Sequence, residues 1–292
     1  MLSYGVKLCK GGACMDLSLI EGVLYGLLSG LADILPVSAQ AHKLLLLKLF
    51  GMNSEPALLG LLIHIGIFAA LYFSCQPQIV KILRARSLAK VPKRRRRRPL
   101  DTKSLMDYSL WKTMLIPIIL GFLFYRKAAV IGKDLLWVSG FLFLNGLLLY
   151  IPQFLPGSNK DSRMLSRVEG LLMGLGGAAS VFPGISAIGA ATSIANVCGV
   201  ERSYGLSMAL LMNLAVTAGL IIYDLIALFG SGIGILSFGI LLGYILAAAA
   251  AFGGVVFGVK IMRNLAANSG FAAFAYYCWG GALFTFILNL MA

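Results

Sequence analysis

The chain has 292 residues, of which 59% are hydrophobic and 12% charged, with a mean hydropathy of +0.89 and a formal net charge of +14. That balance excludes a water-soluble globular domain and points to an all-α polytopic membrane protein. About half of the basic residues crowd into one stretch beside an apolar span, so the charge is read as facing anionic lipid headgroups rather than nucleic acid.

Near the start, Lys7 and Lys10 precede an apolar run and "AQA", Ala39 to Ala41, imitates a small-residue cleavage site. Glu21 and Asp33 interrupt that run, its length exceeds a signal peptide's, and the segment recurs later, so it is read as part of the folded chain. The five cysteines, Cys9, Cys14, Cys75, Cys198 and Cys278, have no metal-ligand spacing. They leave open only a Cys9 to Cys14 bridge.

The first element, "DILPVSAQAHK" (Asp33 to Lys43), places six polar, charged or helix-breaking residues where a span should be plain hydrocarbon. On a helix beginning at Pro36, Ser38 and His42 lie four residues apart on one face, with Asp33 just before the proline. The expectation is a carboxylate, a hydroxyl and an imidazole around one point. Spans of adequate length follow near 54–75, 110–131, 135–152, 204–229, 236–257 and 270–290. Between the first two, residues 76–112 carry 12 of the 25 Lys and Arg residues, including Arg94 to Arg98, and are read as a basic cytoplasmic loop that sets topology. Threading from that anchor puts 18 of the 25 inside.

"EGVLYGL" (Glu21 to Leu27) returns as "EGLLMGL" (Glu169 to Leu175), five of seven residues identical at an offset of 148. The chain thus reads as one integral membrane domain over 1–292, with repeat 1 at about 17–152 and repeat 2 at about 165–292. The second repeat opens with its own broken segment, "SVFPGISAIGAAT" (Ser180 to Thr192). Interrupted segments at matching places in two halves predict six transmembrane helices plus two re-entrant broken-helix segments in an inverted repeat. In the second break, Gly184 permits close backbone approach, and Ser186 and Thr192 flank a half-helix whose free N–H groups suit an anion. The plainer alternative is that Ser and Thr only cap broken helices and His42 makes one interhelical hydrogen bond. His64 is read as a helix-packing histidine, Glu21 and Glu169 as structural, and Asp224 as lying near a span end within reach of water.

At these residues the chain resembles the bacterial undecaprenyl pyrophosphate phosphatase (bacitracin-resistance) family. Its first motif, E-G-x-x-E-F-L-P-x-S-S-x-x-H, corresponds to "SGLADILPVSAQAH" (Ser29 to His42), and its second, P-G-x-S-R-S-x-x-T, to "PGISAIGAAT" (Pro183 to Thr192). The similarity continues through "GVERSYGLSMALL" (Gly199 to Leu211) and "GFAAFAYYCWGGALF" near the end. It implies hydrolysis of undecaprenyl pyrophosphate to the monophosphate in cell-wall carrier recycling, in the bacterial plasma membrane, with Asp33 and His42 catalytic and Ser29, Ser38, Gly184, Ser186 and Thr192 holding phosphate. A divalent metal, Mg²⁺ or Ca²⁺, is implied if the protein is catalytic, and a homodimer is left open. The motif's acidic, serine and arginine positions are here Ser29, Asp33, Ala39 and Ala187, which implies reduced or altered activity; Lys43 is the nearest cation, but its place about 100° around the helix from His42 argues against it as a substitute. The other reading is a non-catalytic polyprenyl-phosphate transporter or flippase, since inverted repeats with central broken helices do not by themselves require catalysis.

Overall fold

The computed structural model describes residues 18–52, 54–96, 99–132, 134–156, 159–231 and 237–291; Lys7, Cys9, Lys10, Cys14, Arg97 and Arg98 lie outside them. Among the described residues the fold is helical, with one isolated bridge between Lys160 and Val200. The first half contains α1 (Leu19–Ile34), α2 (Ala39–Leu49), α3 (Ala57–Ala89), α4 (Thr102–Phe122), α5 (Tyr125–Ile131) and α6 (Leu135–Tyr150). The second contains α7 (Arg167–Ala178), α8 (Ala187–Val197), α9 (Arg202–Ser231), α10 (Phe238–Asn268) and α11 (Ala273–Met291). Six of these, α3, α4, α6, α9, α10 and α11, are long and apolar enough to cross a membrane. By contrast α2 and α8 have 11 residues each. At 1.5 Å per residue that is about 16 Å, roughly half of a hydrocarbon core.

The 148-residue offset survives in the capping chemistry. Ser18 and Glu21 form a capping box that opens α1, and Ser166 and Glu169 form the same box at α7. In each box the serine hydroxyl accepts from the glutamate N–H and the glutamate carboxylate accepts from the serine N–H, which satisfies two orphan donors. The paired glutamates are therefore structural, as their duplication suggested. Ser38 and Ser186, also 148 apart, are the N-caps of α2 and α8.

The halves are exchanged in their packing. Helix α1 lies mainly on α10 of the other half and α7 lies on α4, while α3 meets α9 and α6 meets α11. Small residues make the exchange: a Cβ on Gly26 or Gly30 would stand 2.0 or 2.1 Å from the carbonyl oxygens of Ala247 and Ala251. Without a hydrophobic drive between helices in lipid, such close backbone approach is what generates dispersion contact.

Three boundaries differ from the sequence reading: α10, expected at 236–257, runs on to Asn268, and two others concern the basic region. The second span, expected at 110–131, is α4 from Thr102 to Phe122, and Arg126 and Lys127 fall on the separate short helix α5. Twenty-one residues already span a bilayer core, so the two charges sit past a turn instead of inside it. The basic stretch 76–112 is helix at both ends, leaving 90–101 as the connection. Lys and Arg are good helix formers, and one of the arginines terminates the helix: the Arg96 guanidinium donates to the carbonyls of Ala89 and Val91 at 3.1 and 2.8 Å.

Candidate functional site

The two helix breaks meet tip to tip. Pro36 ends α1, because the residue before a proline is driven from helical to extended backbone, as Leu35 is. Ser38 then takes φ +68, a left-handed conformation uncommon for a non-glycine residue. What holds it there comes from the other half: its fully buried hydroxyl accepts from the Gly184 N–H at 2.9 Å. Gly184 itself has φ +127, and a Cβ would stand 2.5 Å from Phe141, so the position is closed to other residues. Asn145 of α6, fully buried, clamps the pair by donating to the Pro36 carbonyl and accepting from the Ser186 N–H, both at 2.9 Å.

Beside this joint lies a cavity of about 360 Å³. The starts of α2 and α8 both face it, through Ala39 and Gln40 and through Ser186 and Ala187. Its acidic and basic lining comes from Asp33 of α1, Lys43 of α2, Glu55 just before α3, His64 of α3 and Asp224 of α9, beside the Tyr125 and Tyr223 rings. The side chains form a continuous chain. Lys43 Nζ is 3.2 Å from Glu55 Oε1 and 3.1 Å from His64 Nε2, and His64 Nδ1 is 2.5 Å from Asp224 Oδ2. An ammonium only donates, so His64 accepts at Nε2 and carries its proton at Nδ1, toward Asp224. Asp33 accepts from the Asn213 side-chain amide at 2.7 Å. Tyr25, on one face of α1 with Ser29 and Asp33, presents a fully buried hydroxyl to Glu55.

Of the seven residues expected from sequence to catalyse or to hold phosphate, Asp33 and Ser186 share this cavity. The others do not line it. Ser38 and Gly184 are bonded to each other in the joint. The Thr192 hydroxyl donates to the carbonyls of Ile188 and Gly189 in its own helix, and Ser29 is buried off the cavity wall with no partner for its hydroxyl. His42 overturns the expected grouping of three. Its Nε2 is 2.7 Å from the Tyr277 hydroxyl on α11, its ring stacks on that tyrosine, and its Nδ1 is 2.8 Å from the Ser38 carbonyl. The cause is helix geometry: consecutive residues point about 100° apart, so with Lys43 turned inward His42 must turn away. For Ser186 and His42 the plainer reading of a cap and one interhelical hydrogen bond describes their contacts, while Thr192 lies inside α8 and caps nothing. His64, read as a packing residue, is instead at the centre of the ionic chain. Glu55 and Asn213 were missed; a lysine within an apolar run demands a buried acid, and that demand is the signal that points to Glu55.

Among the described residues no three His, Cys, Asp or Glu side chains cluster as a metal cage. The oxygen donors that line the cavity include the carboxyl groups of Asp33, Glu55 and Asp224, a ligand type that suits hard divalent cations.

On the far side of the cavity wall is an apolar groove of about 850 Å³ between α3, α4 and α9. Tyr223 lines both spaces. It packs edge-on against Tyr125, whose ring stacks on Phe122, so an aromatic cluster separates the charged space from the apolar one. At the groove's other end Arg86 lies 4.8 Å and Lys112 5.1 Å from the Tyr108 ring centre.

Six apolar spans, a charged cavity at the junction of two broken helices and exchanged halves define a multi-pass helical membrane protein with a polar site inside its transmembrane body. Residues 22–284 match the family model described as Bacitracin resistance protein BacA, and the chain belongs to that family. Among curated relatives, it is 24% identical over 269 residues to the undecaprenyl-diphosphatase of Methanobrevibacter smithii, covering 90% of this chain and 95% of that one. It is 25% identical over 282 residues to undecaprenyl-diphosphatase 1 of Shouchella clausii, covering 94% and 97%. To the undecaprenyl-diphosphatase of Nocardioides sp. it is 29% identical over 209 residues, covering 70% and 74%.

Proposed function

We propose that the protein is a membrane phosphatase that hydrolyses undecaprenyl pyrophosphate to undecaprenyl phosphate and inorganic phosphate, in carrier-lipid recycling at a bacterial plasma membrane. The observation that carries this reading is the cavity itself, where two helix N-termini and Lys43 converge beside Asp33. Free N–H groups and a positive dipole end favour a phosphate, and Lys43 supplies a point charge from the first half. The adjoining apolar groove supports a lipid over a soluble pyrophosphate, since the aromatic cluster at Tyr223 fits a junction between headgroup and hydrocarbon. In the membrane each broken pair, α1 with α2 and α7 with α8, would enter and leave on one side. Arg86 and Lys112 would face anionic headgroups.

Asp33 is assigned to the chemistry and Ser186 to phosphate contact. His42, Ser29, Ser38, Gly184 and Thr192 are not, because their polar groups are turned elsewhere or spent within the fold. A bare pyrophosphate would meet the carboxyl groups of Asp33, Glu55 and Asp224, so a divalent cation would accompany it, held by the pyrophosphate oxygens and by Asp33, which pairs with an amide rather than a basic side chain. When bound, such an ion would neutralise charge on the phosphoryl oxygens. Turnover would be lower than in a site with arginine at 187, because Ala187 lines the cavity and Lys43 offers a single charge in place of a bidentate fork.

The test is phosphate release from undecaprenyl pyrophosphate by purified protein in proteoliposomes, with Mg²⁺, with Ca²⁺ and with chelator. Metal-dependent release that Asp33→Asn abolishes supports the reading. Saturable lipid binding and transbilayer movement without release would favour the second reading, a polyprenyl-phosphate flippase, which the exchanged halves and the alanines at 39 and 187 also accommodate.

A further inference from the structure

The ionic chain contains a histidine placed for proton transfer. His64 is held between an acid at Nδ1 and a cation at Nε2, and only the second of these is displaceable by an anion. We propose that His64, oriented by Asp224 and covered by Lys43, is the general acid–base residue of hydrolysis in this cavity; the inference rests on the phosphatase reading. The arrangement resembles no assignment available from motif position, since the motif histidine, His42, is turned to Tyr277.

Lys43 is shared between Glu55 and His64. A pyrophosphate entering the cavity draws the Lys43 ammonium to its oxygens and uncovers Nε2. The Glu55 carboxylate, which loses its lysine, keeps the neighbouring Tyr25 hydroxyl. A water molecule then attacks the terminal phosphorus. Its oxygen forms the new P–O bond and one of its protons passes to His64 Nε2. The bond from that phosphorus to the bridging oxygen breaks, its electron pair stays on the lipid monophosphate, and the imidazolium returns the proton to that oxygen. Asp224 keeps Nδ1 protonated throughout and stabilises the transient imidazolium. The charged and titratable groups facing His64 are Lys43 from α2, Glu55 from the segment before α3, Asp224 from α9 and, across the cavity, Asp33 from α1.

The experiment measures kcat and KM for lipid pyrophosphate hydrolysis in proteoliposomes of the full chain, for the wild type, His64→Gln, Asp224→Asn and Asp224→Glu. Each is also assayed for binding of a non-hydrolysable methylene-bisphosphonate analogue of the lipid, which reports an intact site. His64→Gln is expected to lower kcat by about 100- to 10,000-fold with KM and analogue binding within about threefold of wild type. Asp224→Asn, a positioning change, is expected to lower kcat by about 10- to 100-fold at unchanged KM, with partial recovery in Asp224→Glu. A wild type that releases no phosphate overturns the enzyme reading and this inference together. Wild-type turnover with His64→Gln still within about threefold of its kcat overturns this inference alone. Loss of analogue binding in His64→Gln, with Asp224→Asn unaffected in every readout, likewise overturns it, because His64 is then structural.

Discussion

The two helix breaks share one plan and differ in what they carry. Both open under the same serine–glutamate capping box, both stop near a proline, and both restart on a serine N-cap. Yet the first break carries Asp33 and Lys43 into the cavity, while the positions 148 residues later are Val181 and Ala191, both buried and apolar. The duplicated residues make joints, and the unduplicated ones carry charge. Chemistry in a two-fold frame needs only one charged tip, because the second tip can serve by offering backbone N–H groups, one of which, that of Gly184, donates to the Ser38 hydroxyl and pins the first tip.

That contrast can be broken by substitution at matched positions. The largest effect is expected at the charged tip: Asp33→Asn should lower kcat for phosphate release by about 100- to 10,000-fold, whereas Val181→Ala should leave it within a small factor. Comparable losses at both sites, measured in the same vesicles, would end the distinction. Next comes Lys43→Met, which strands Glu55 in a poorly hydrated site and should cost about 3–5 kcal/mol of stability. Thermal unfolding in detergent would read it, and Lys43→Met with Glu55→Leu should regain most of the loss if the ion pair is its source.

Asn145→Ala tests the clamp that both tips share. It leaves the Ser186 N–H and the Pro36 carbonyl without their partner and should cost about 1–3 kcal/mol, seen as a lower unfolding temperature. The smallest effect belongs to the duplicated caps, where Ser18→Ala and Ser166→Ala should each cost about 1 kcal/mol. Their equality is the point of the measurement, and a clear inequality in unfolding temperature would mean the two halves no longer use the box alike.

Some of this was readable along the chain. The return of Glu21-Gly22 as Glu169-Gly170 marked the repeat, and the prolines at 36 and 183 marked the breaks because each stands beside a serine N-cap signal, whereas Pro77 and Pro117, which have none beside them, are carried inside α3 and α4. The six spans followed from apolar length alone, apart from the second, where Arg126 and Lys127 were included in a helix that stops at Phe122. The site was only partly readable. Asp33 and Ser186 were found because an acid and a helix-capping serine at a break have local signatures. Glu55 had none, and His64 read as packing because its two partners, Lys43 and Asp224, lie 21 and 160 residues away in the chain.

Helix periodicity, caps and breaks are short-range, and for that reason the sequence by itself determined the membrane class, the duplicated frame and the position of each tip. Which neighbour of the pair His42 and Lys43 turns inward was decided only in the tertiary structure. Rotation of α2 about its axis is set by what waits on each side, Tyr277 of α11 for the imidazole and Glu55 with His64 for the ammonium. A buried charge goes where its counter-charge is, and counter-charges are brought together by packing between helices, not by spacing within one.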